Sequence, residues 1–554
     1  MIKLIKNSYQ DLTRGEKSFV FLVSFVILFL TLLPLIFGFS TASDNQFYTS
    51  STFIAGADKM IYFSQIEEIS QGKLFFHNLY TSEPQPVGIF SPLWLALGWV
   101  KKITGFSSEA VFHSARVVLG FIFLWLIYLF LARIFKRVKW RKIVFLLIGL
   151  GSGLGIFTLS GNFSEEHLYE HLGTDFWVSE SNTFLSIYHS PLFIFSQILI
   201  LIIFWWAIER LTKASFYEVI IMGLVALILG LTHPYDLIIV FSVLGVWFLI
   251  KSLKIKRWPW PFFFKLFVIG LISGLSLVYF YFLQIQSPAF SEWLKQNITL
   301  SPKIINYFIG YGFIFLLYLL VVFKAAKSKN KYIFFLAIWS LVGWFLLYSP
   351  IQFQRKLANG LHLPLAILAG QGLVWLVYFL KAKLKNRGFL LKVFILNLTV
   401  ILLVSSNFFI ITMDLKLIST KAFPMYISGE QFRGINWLRD NLEDNEIILG
   451  SSPMANLIPA FSAKKVYIGH GHQTADWLEK KDKVNNLFFA SNTADGLKED
   501  WLESQRIDYL FFSSREDLLG DFNPFEKKYL QLVWQEGQAA IFKVVVNSGN
   551  NLSN

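Results

Sequence analysis

Apolar runs longer than about eighteen residues recur along this chain from Phe19 to Met413. In hydrocarbon every backbone N–H and C=O must find its partner inside the segment, so runs of this length fold as helices. Their positions predict about eleven spans, near 18–39, 109–133, 143–160, 189–208, 217–232, 235–251, 262–284, 302–323, 332–349, 362–380 and 390–413. The basic residues give the direction. Arg133 to Lys142, Lys251 to Arg257, Lys324 to Lys331 and Lys381 to Arg387 sit in short loops, the pattern of cytoplasmic flanks. Alternation from a cytoplasmic N-terminus then puts every basic loop inside and the long loops outside. The first run is too long for a signal-peptide core and is expected to be a retained anchor.

Composition removes several function classes. With hydrophobic residues at 55%, the chain is not a soluble protein. The net charge of +14 is accounted for by the membrane flanks; no basic stripe is interleaved with stacking aromatics outside them, so no nucleic-acid partner is expected. The chain has no cysteine, which excludes a thiolate nucleophile, a disulfide or a Cys-ligated metal. No glycine-rich phosphate loop is present, which argues against an ATP-driven machine.

The expected fold class is a polytopic α-helical membrane protein with a small C-terminal extracytoplasmic α/β domain. Residues 1–419 form the transmembrane part, with long exported loops at 40–107 and 161–188, and residues 420–554 the extracytoplasmic domain. Polar residues dominate from about Thr420, and strand patterns at Glu446 to Gly450, Lys465 to Ile468 and Asp508 to Phe512 alternate with helical ones, which favours a mostly parallel sheet. An odd number of spans places that domain outside the cytoplasm of a multi-pass plasma-membrane protein.

Chemistry is expected in the exported loops, because the inner ones are short and simply basic. About fifty residues follow the first span, with an amphipathic helix opening near Asp58 and an apolar segment, Phe90 to Val100, too short to cross. Such a loop reads as the wall of a site at the water–lipid boundary. Asp58 and Tyr62 lie four apart, on one helix face; the alternative for Asp58 is a helix cap. The second exported loop is acidic and carries no Lys or Arg. Its Glu166, His167, His171 and Asp175 could hold a divalent cation such as Mg or Mn, and Trp177 and Glu180 follow. The His167–His171 segment also formally matches an inverted zinc-peptidase pattern, with no third ligand marked.

Further along, Thr232-His233-Pro234-Tyr235-Asp236 caps a tight outer hairpin. A charged residue so close to lipid needs a partner or a task, which makes His233 and Asp236 candidates. Arg355 and Lys356 are cations on the outer face, where a guanidinium suits a phosphate headgroup and snorkelling is the alternative. His470 and His472 follow a strand in the C-terminal domain, at the edge of a parallel sheet that usually meets ligands.

These features resemble the GT-C superfamily of integral-membrane glycosyltransferases, which use polyprenyl-phosphate sugars. The chain is most similar to bacterial members related to the protein mannosyltransferase and lipid A aminoarabinose transferase group. The resemblance rests on Asp58 with Tyr62, Gly72 and Ser91-Pro92; on Thr232 to Asp236; on Arg355-Lys356-Leu357 with Gly360; and on Val466-Tyr467-Ile468-Gly469-His470. It implies that Asp58 is the catalytic base of a single inverting displacement from a lipid-linked donor, the acceptor being unspecified. Arg355 would then stabilise the departing phosphate, and Trp94 and Trp177 would stack on sugar. Where the family often shows a second acid beside the base, this chain has Lys59. A transporter or flippase of a lipid-linked glycan is the alternative; it would usually show inverted halves or paired broken helices, and neither is visible.

Overall fold

The computed structural model describes residues 2–54, 56–159, 165–383, 389–489 and 493–545, with the side chains at 2, 165, 166, 168, 380–383 and 389–403 outside that description. Helices dominate. Seven among the described residues are long and apolar enough to cross a bilayer: Arg14–Thr41, Ser108–Ile134, Val138–Thr158, Pro191–Arg210, Tyr235–Ile255, Trp260–Gln286 and His362–Phe379. Three more apolar helices, Phe216–Thr232, Ile304–Leu319 and Lys331–Leu346, have only 16 or 17 residues. At about 1.5 Å per residue they reach roughly 25 Å, short of a core about 30 Å thick, which is why length separates them from the seven. A further helix runs from Phe389 to Ser419.

The chain packs into two compact units. The first comprises residues 1–34, 113–279 and 298–415, and holds most of the apolar helices. The second comprises residues 35–112, 280–297 and 416–554. In the second unit the first long loop packs with the C-terminal residues.

Within the second unit, strand β1 (Gln46–Tyr48) pairs antiparallel with β2 (Tyr426–Ser428), Phe47 opposite Ile427. Tyr48, Ile418, Met425 and Tyr426 form a small apolar core there. Five further strands, β3 (Ile447–Leu449), β4 (Lys465–Val466), β5 (Tyr509–Phe512), β6 (Leu530–Glu536) and β7 (Ala539–Val544), make one sheet in the order β4-β3-β5-β7-β6. β3 runs parallel to both neighbours, while β7 is antiparallel to β5 and β6. The sheet is therefore mixed rather than mostly parallel, because the chain closes on a hairpin. Leu449, Tyr467, Ile468, Leu510 and Phe542 are central to its core. The carboxylate of Glu516 ties two strand ends together, accepting from Ser451 N at 2.8 Å and from Ser513 N at 2.9 Å. Burial pushes that carboxyl above the usual range.

The first-loop helix Gly56–Ser70 buries Met60, Phe63 and Ile66. It packs against helix Pro92–Thr104 on one side and helix Ile458–Ser462 on another. Pro92 opens helix Pro92–Thr104 at its first turn, a position where its missing N–H costs nothing. The 56–70 helix gives way to Gly72 at φ +103°, a conformation that favours glycine.

Candidate active site

Asp58 lies in the first turn of the 56–70 helix, with its side chain 43% exposed. Its Oδ1 lies 3.1 Å from Nε2 of His470, a ring only 6% exposed. The other ring nitrogen, Nδ1, accepts the backbone N–H of His472 at 3.1 Å. That bond places the ring proton on Nε2, so His470 donates to the carboxylate. Tyr80 packs edge-on against the same ring at 6.3 Å. Two candidates 412 residues apart in the chain thus share one hydrogen bond.

Residues 78–81 bring them together by running beside the edge strand β4. Val466 N donates to Leu79 O at 2.9 Å, and Asn78 Nδ2 to Gln473 O at 2.7 Å. Thr474 Oγ1 donates to Tyr80 O at 2.7 Å while accepting from Gly469 N at 3.0 Å. A side chain at Gly469 would place its Cβ 2.7 Å from the Tyr80 ring, so this close approach requires glycine. Two other acids of the same helix are engaged elsewhere. Glu67 accepts from Ser108 Oγ and pairs with Lys101 at 3.2 Å; Glu68 accepts from His77 N at 2.8 Å.

Tyr62 is half-buried and stacks on Trp94, with centroids 5.0 Å apart and planes at 19°. Trp94 is 3% exposed, so its ring is spent on packing and cannot present a face to a sugar as expected. His472 is exposed beside His470, with ring centroids 6.0 Å apart.

In the first unit, Arg355 lies on the 3₁₀ turn Gln354–Ala358. Its Nη1 donates to Tyr169 OH at 2.9 Å, and its guanidinium sits 4.8 Å from the Trp177 ring centre. Trp177 is therefore a platform for the cation. The Ser179–Ser181 turn bearing half-buried Glu180 packs against the 354–358 turn. Lys356 Nζ donates to Tyr235 OH at 3.3 Å. A cleft of about 420 Å³ opens beside Tyr169, lined also by Leu300, Ser301, Lys303 and Tyr348.

Asp236 and His233 are buried in the same unit. His233 Nδ1 lies 3.0 Å from Asp236 Oδ2, which accepts from Asn359 Nδ2 at 2.9 Å. Gln197 Nε2 continues the chain to Asn359 Oδ1 at 2.9 Å and to Ser186 Oγ at 2.8 Å. This network ties four segments and gives the carboxylate at the hairpin its partners.

The expected cation site lies only partly among the described residues. Among the described residues no three His, Asp or Glu side chains gather for a metal. His167 and His171 are neighbours, with ring centroids 5.0 Å apart, and the side chain of Glu166 lies outside the described residues. Asp175 is fully buried and turned inward, its Oδ2 accepting from Gly153 N at 3.0 Å and Gly155 N at 3.3 Å. Burial pushes its carboxyl up to about 7. Acidic composition suggested a solvated ligand; the backbone turn at 153–155 claims it.

Tyr80, Thr474, Tyr169 and Asn359 were missed in the sequence, where a lone Tyr, Thr or Asn carries no signal of its own. The fold resembles several solved structures. ArnT from Cupriavidus metallidurans bound to undecaprenyl phosphate matches with a TM-score of 0.51 and 12% identity, over 97% of this chain and 99% of that one. At this identity the likeness is one of overall fold. The oligosaccharyltransferase AglB from Archaeoglobus fulgidus, in complex with an inhibitory peptide and a dolichol-phosphate, matches at 0.51 and 12% identity, over 90% and 70%. Arabinofuranosyltransferase AftD from Mycobacteria matches at 0.51 and 14% identity, over 97% of this chain but 42% of that one. No protein-family model and no curated protein matches the sequence.

Proposed function

We propose that this GT-C-fold chain is a membrane glycosyltransferase that moves a sugar from a polyprenyl-phosphate-linked donor to an acceptor at the outer face of the plasma membrane. The observation that carries the reading is Asp58, exposed in the first loop and held through Oδ1 by His470. A carboxylate kept accessible beside the bilayer while its helix neighbours Glu67 and Glu68 are engaged in packing is placed to take a proton. The fold it shares with ArnT bound to undecaprenyl phosphate supports the donor class.

In this reading Asp58 removes the acceptor proton, the acceptor oxygen attacks the anomeric carbon from the face opposite the phosphate, and configuration inverts. Arg355, stacked on Trp177 and donating to Tyr169, is a planar, permanently charged fork suited to a phosphate. Eleven crossings with a cytoplasmic N-terminus would put residues 420–554 outside.

The test is mass spectrometry of lipids that copurify in mild detergent, followed by incubation with undecaprenyl-phosphate-linked monosaccharides. A bound polyprenyl phosphate or its sugar conjugate, and release of undecaprenyl phosphate on incubation, are expected. Failure to release it from any such donor would overturn the reading.

A further inference from the structure

The C-terminal sheet delivers one polar side chain to the first-loop acid, and that side chain is locked in a single tautomer. His470 is gripped at Nδ1 by the His472 N–H and at its ring edge by Tyr80. Its turn is fastened by Thr474 to Tyr80 O and by Gln473 O to Asn78. An exposed carboxylate without such an anchor samples several rotamers, and each unproductive one subtracts from the rate.

We propose that His470 is the positioning residue of the Asp58 base, and that presenting it is what the C-terminal sheet contributes to the reaction. The inference rests on the glycosyl-transfer reading above. His470 holds the carboxylate through Oδ1, and the carboxylate takes the acceptor proton. The acceptor O–H bond breaks, its electron pair forms the bond to the anomeric carbon, and the carbon–oxygen bond to phosphate breaks with its pair leaving on polyprenyl phosphate. His470 keeps its own proton throughout.

Ionisable groups near the pair come from its own helix and from the segments beside it. Helix Ile458–Ser462 carries none. On helix Pro92–Thr104, Lys101 pairs with Glu67, nine residues beyond Asp58 and roughly 13 Å along the 56–70 helix, and Lys102 lies near Gly72. Tyr80 and His472 adjoin the His470 ring, and Lys59 follows Asp58 in the chain with its side chain buried.

The test uses the full chain in lipid nanodiscs, carrying aspartate labelled with ¹³C at the carboxyl, with Asp58 assigned by the signal lost in Asp58→Asn. His470→Ala should raise the Asp58 titration midpoint by about one pH unit, because a donor to the charged form has gone. His470→Gln, whose amide can donate from near the Nε2 position, should stay near wild type. Release of undecaprenyl phosphate from undecaprenyl-phosphate-linked monosaccharides should show the acid limb of kcat moving up by the same amount in the Ala variant, with KM unchanged. An unmoved midpoint in His470→Ala overturns the proposal. So does equal loss of activity in the Ala and Gln variants with an unshifted profile, which would make His470 a packing residue only. A wild type that titrates as expected yet releases no undecaprenyl phosphate supports the pairing and overturns the transferase reading instead.

Discussion

Exchanging Asp58 for Asn separates a base from a favourable helix-end charge. Asn keeps the size and loses a first-turn carboxylate worth about 0.3–1 kcal/mol at a helix N-terminus, so the fold should persist. Transfer should fall about 10²–10⁴-fold, because an amide cannot take the acceptor proton. Asp44→Asn, the other aspartate just past the first span, should transfer at the wild-type rate; parallel turnover measurements check both. Arg355→Lys keeps the charge but loses the fork that donates to Tyr169 and stacks on Trp177. Loss of one charge-assisted bond, about 1.5–3 kcal/mol, should lower turnover roughly ten- to a hundredfold. Normal turnover in both Arg355→Lys and Arg355→Ala would make the residue a snorkelling anchor.

Asp175 makes the pH case. Its carboxyl is raised from 3.8 to about 7, so the fold favours the protonated form. The resulting stability is fully present below the unfolded value and is lost as pH rises through about 7. Shifts of this size correspond to at most about 4 kcal/mol. The thermal midpoint of the wild type in detergent should therefore fall between about pH 4 and 7. Asp175→Asn should flatten that slope, since its oxygen can still accept from Gly153 and Gly155 without a charge to bury. An unchanged slope in the variant would place the titration elsewhere.

At the level of elements, the decisive one is the turn from Gly469 to Ala475. Gly469→Ala would drive a Cβ into the Tyr80 ring, an overpacking that costs typically about 1–3 kcal/mol. It should loosen the turn that carries His470. Activity is expected to drop more than global stability, as checked by turnover beside thermal unfolding. The sequence shows why this turn is hard to read. The apolar runs, the strands near 447–449 and 509–512 and the two separate candidates Asp58 and His470 follow from local pattern and position. Their pairing depends on residues 78–81 joining the β4 edge, a long-range match that no periodicity encodes. Trp94 and Asp175 misled for a related reason. Residue type suggested a sugar platform and a cation ligand, while burial assigned one to packing and the other to a backbone turn.

For the whole molecule, orientation is the open prediction. A reporter active only in the cytoplasm and fused after Asn554 should be silent if the basic loops set an inside N-terminus and the spans are odd in number. Signal there would mean one short helix does not cross, with Phe216–Thr232, Ile304–Leu319 and Lys331–Leu346 the places to look. The 17-residue helix 216–232 reads as a span only if the bilayer thins or its flanks snorkel.

The Asp58–His470 bond also sets a clock on biosynthesis. Its halves are 412 residues apart, so at about 5–20 residues per second a ribosome needs roughly 20–80 s to make the second after the first. Throughout that interval the nascent chain already carries its acid loop but lacks the ring that orders it. Chains that stall or are clipped before Gly469 would reach the membrane with Asp58 but without its hydrogen-bond partner.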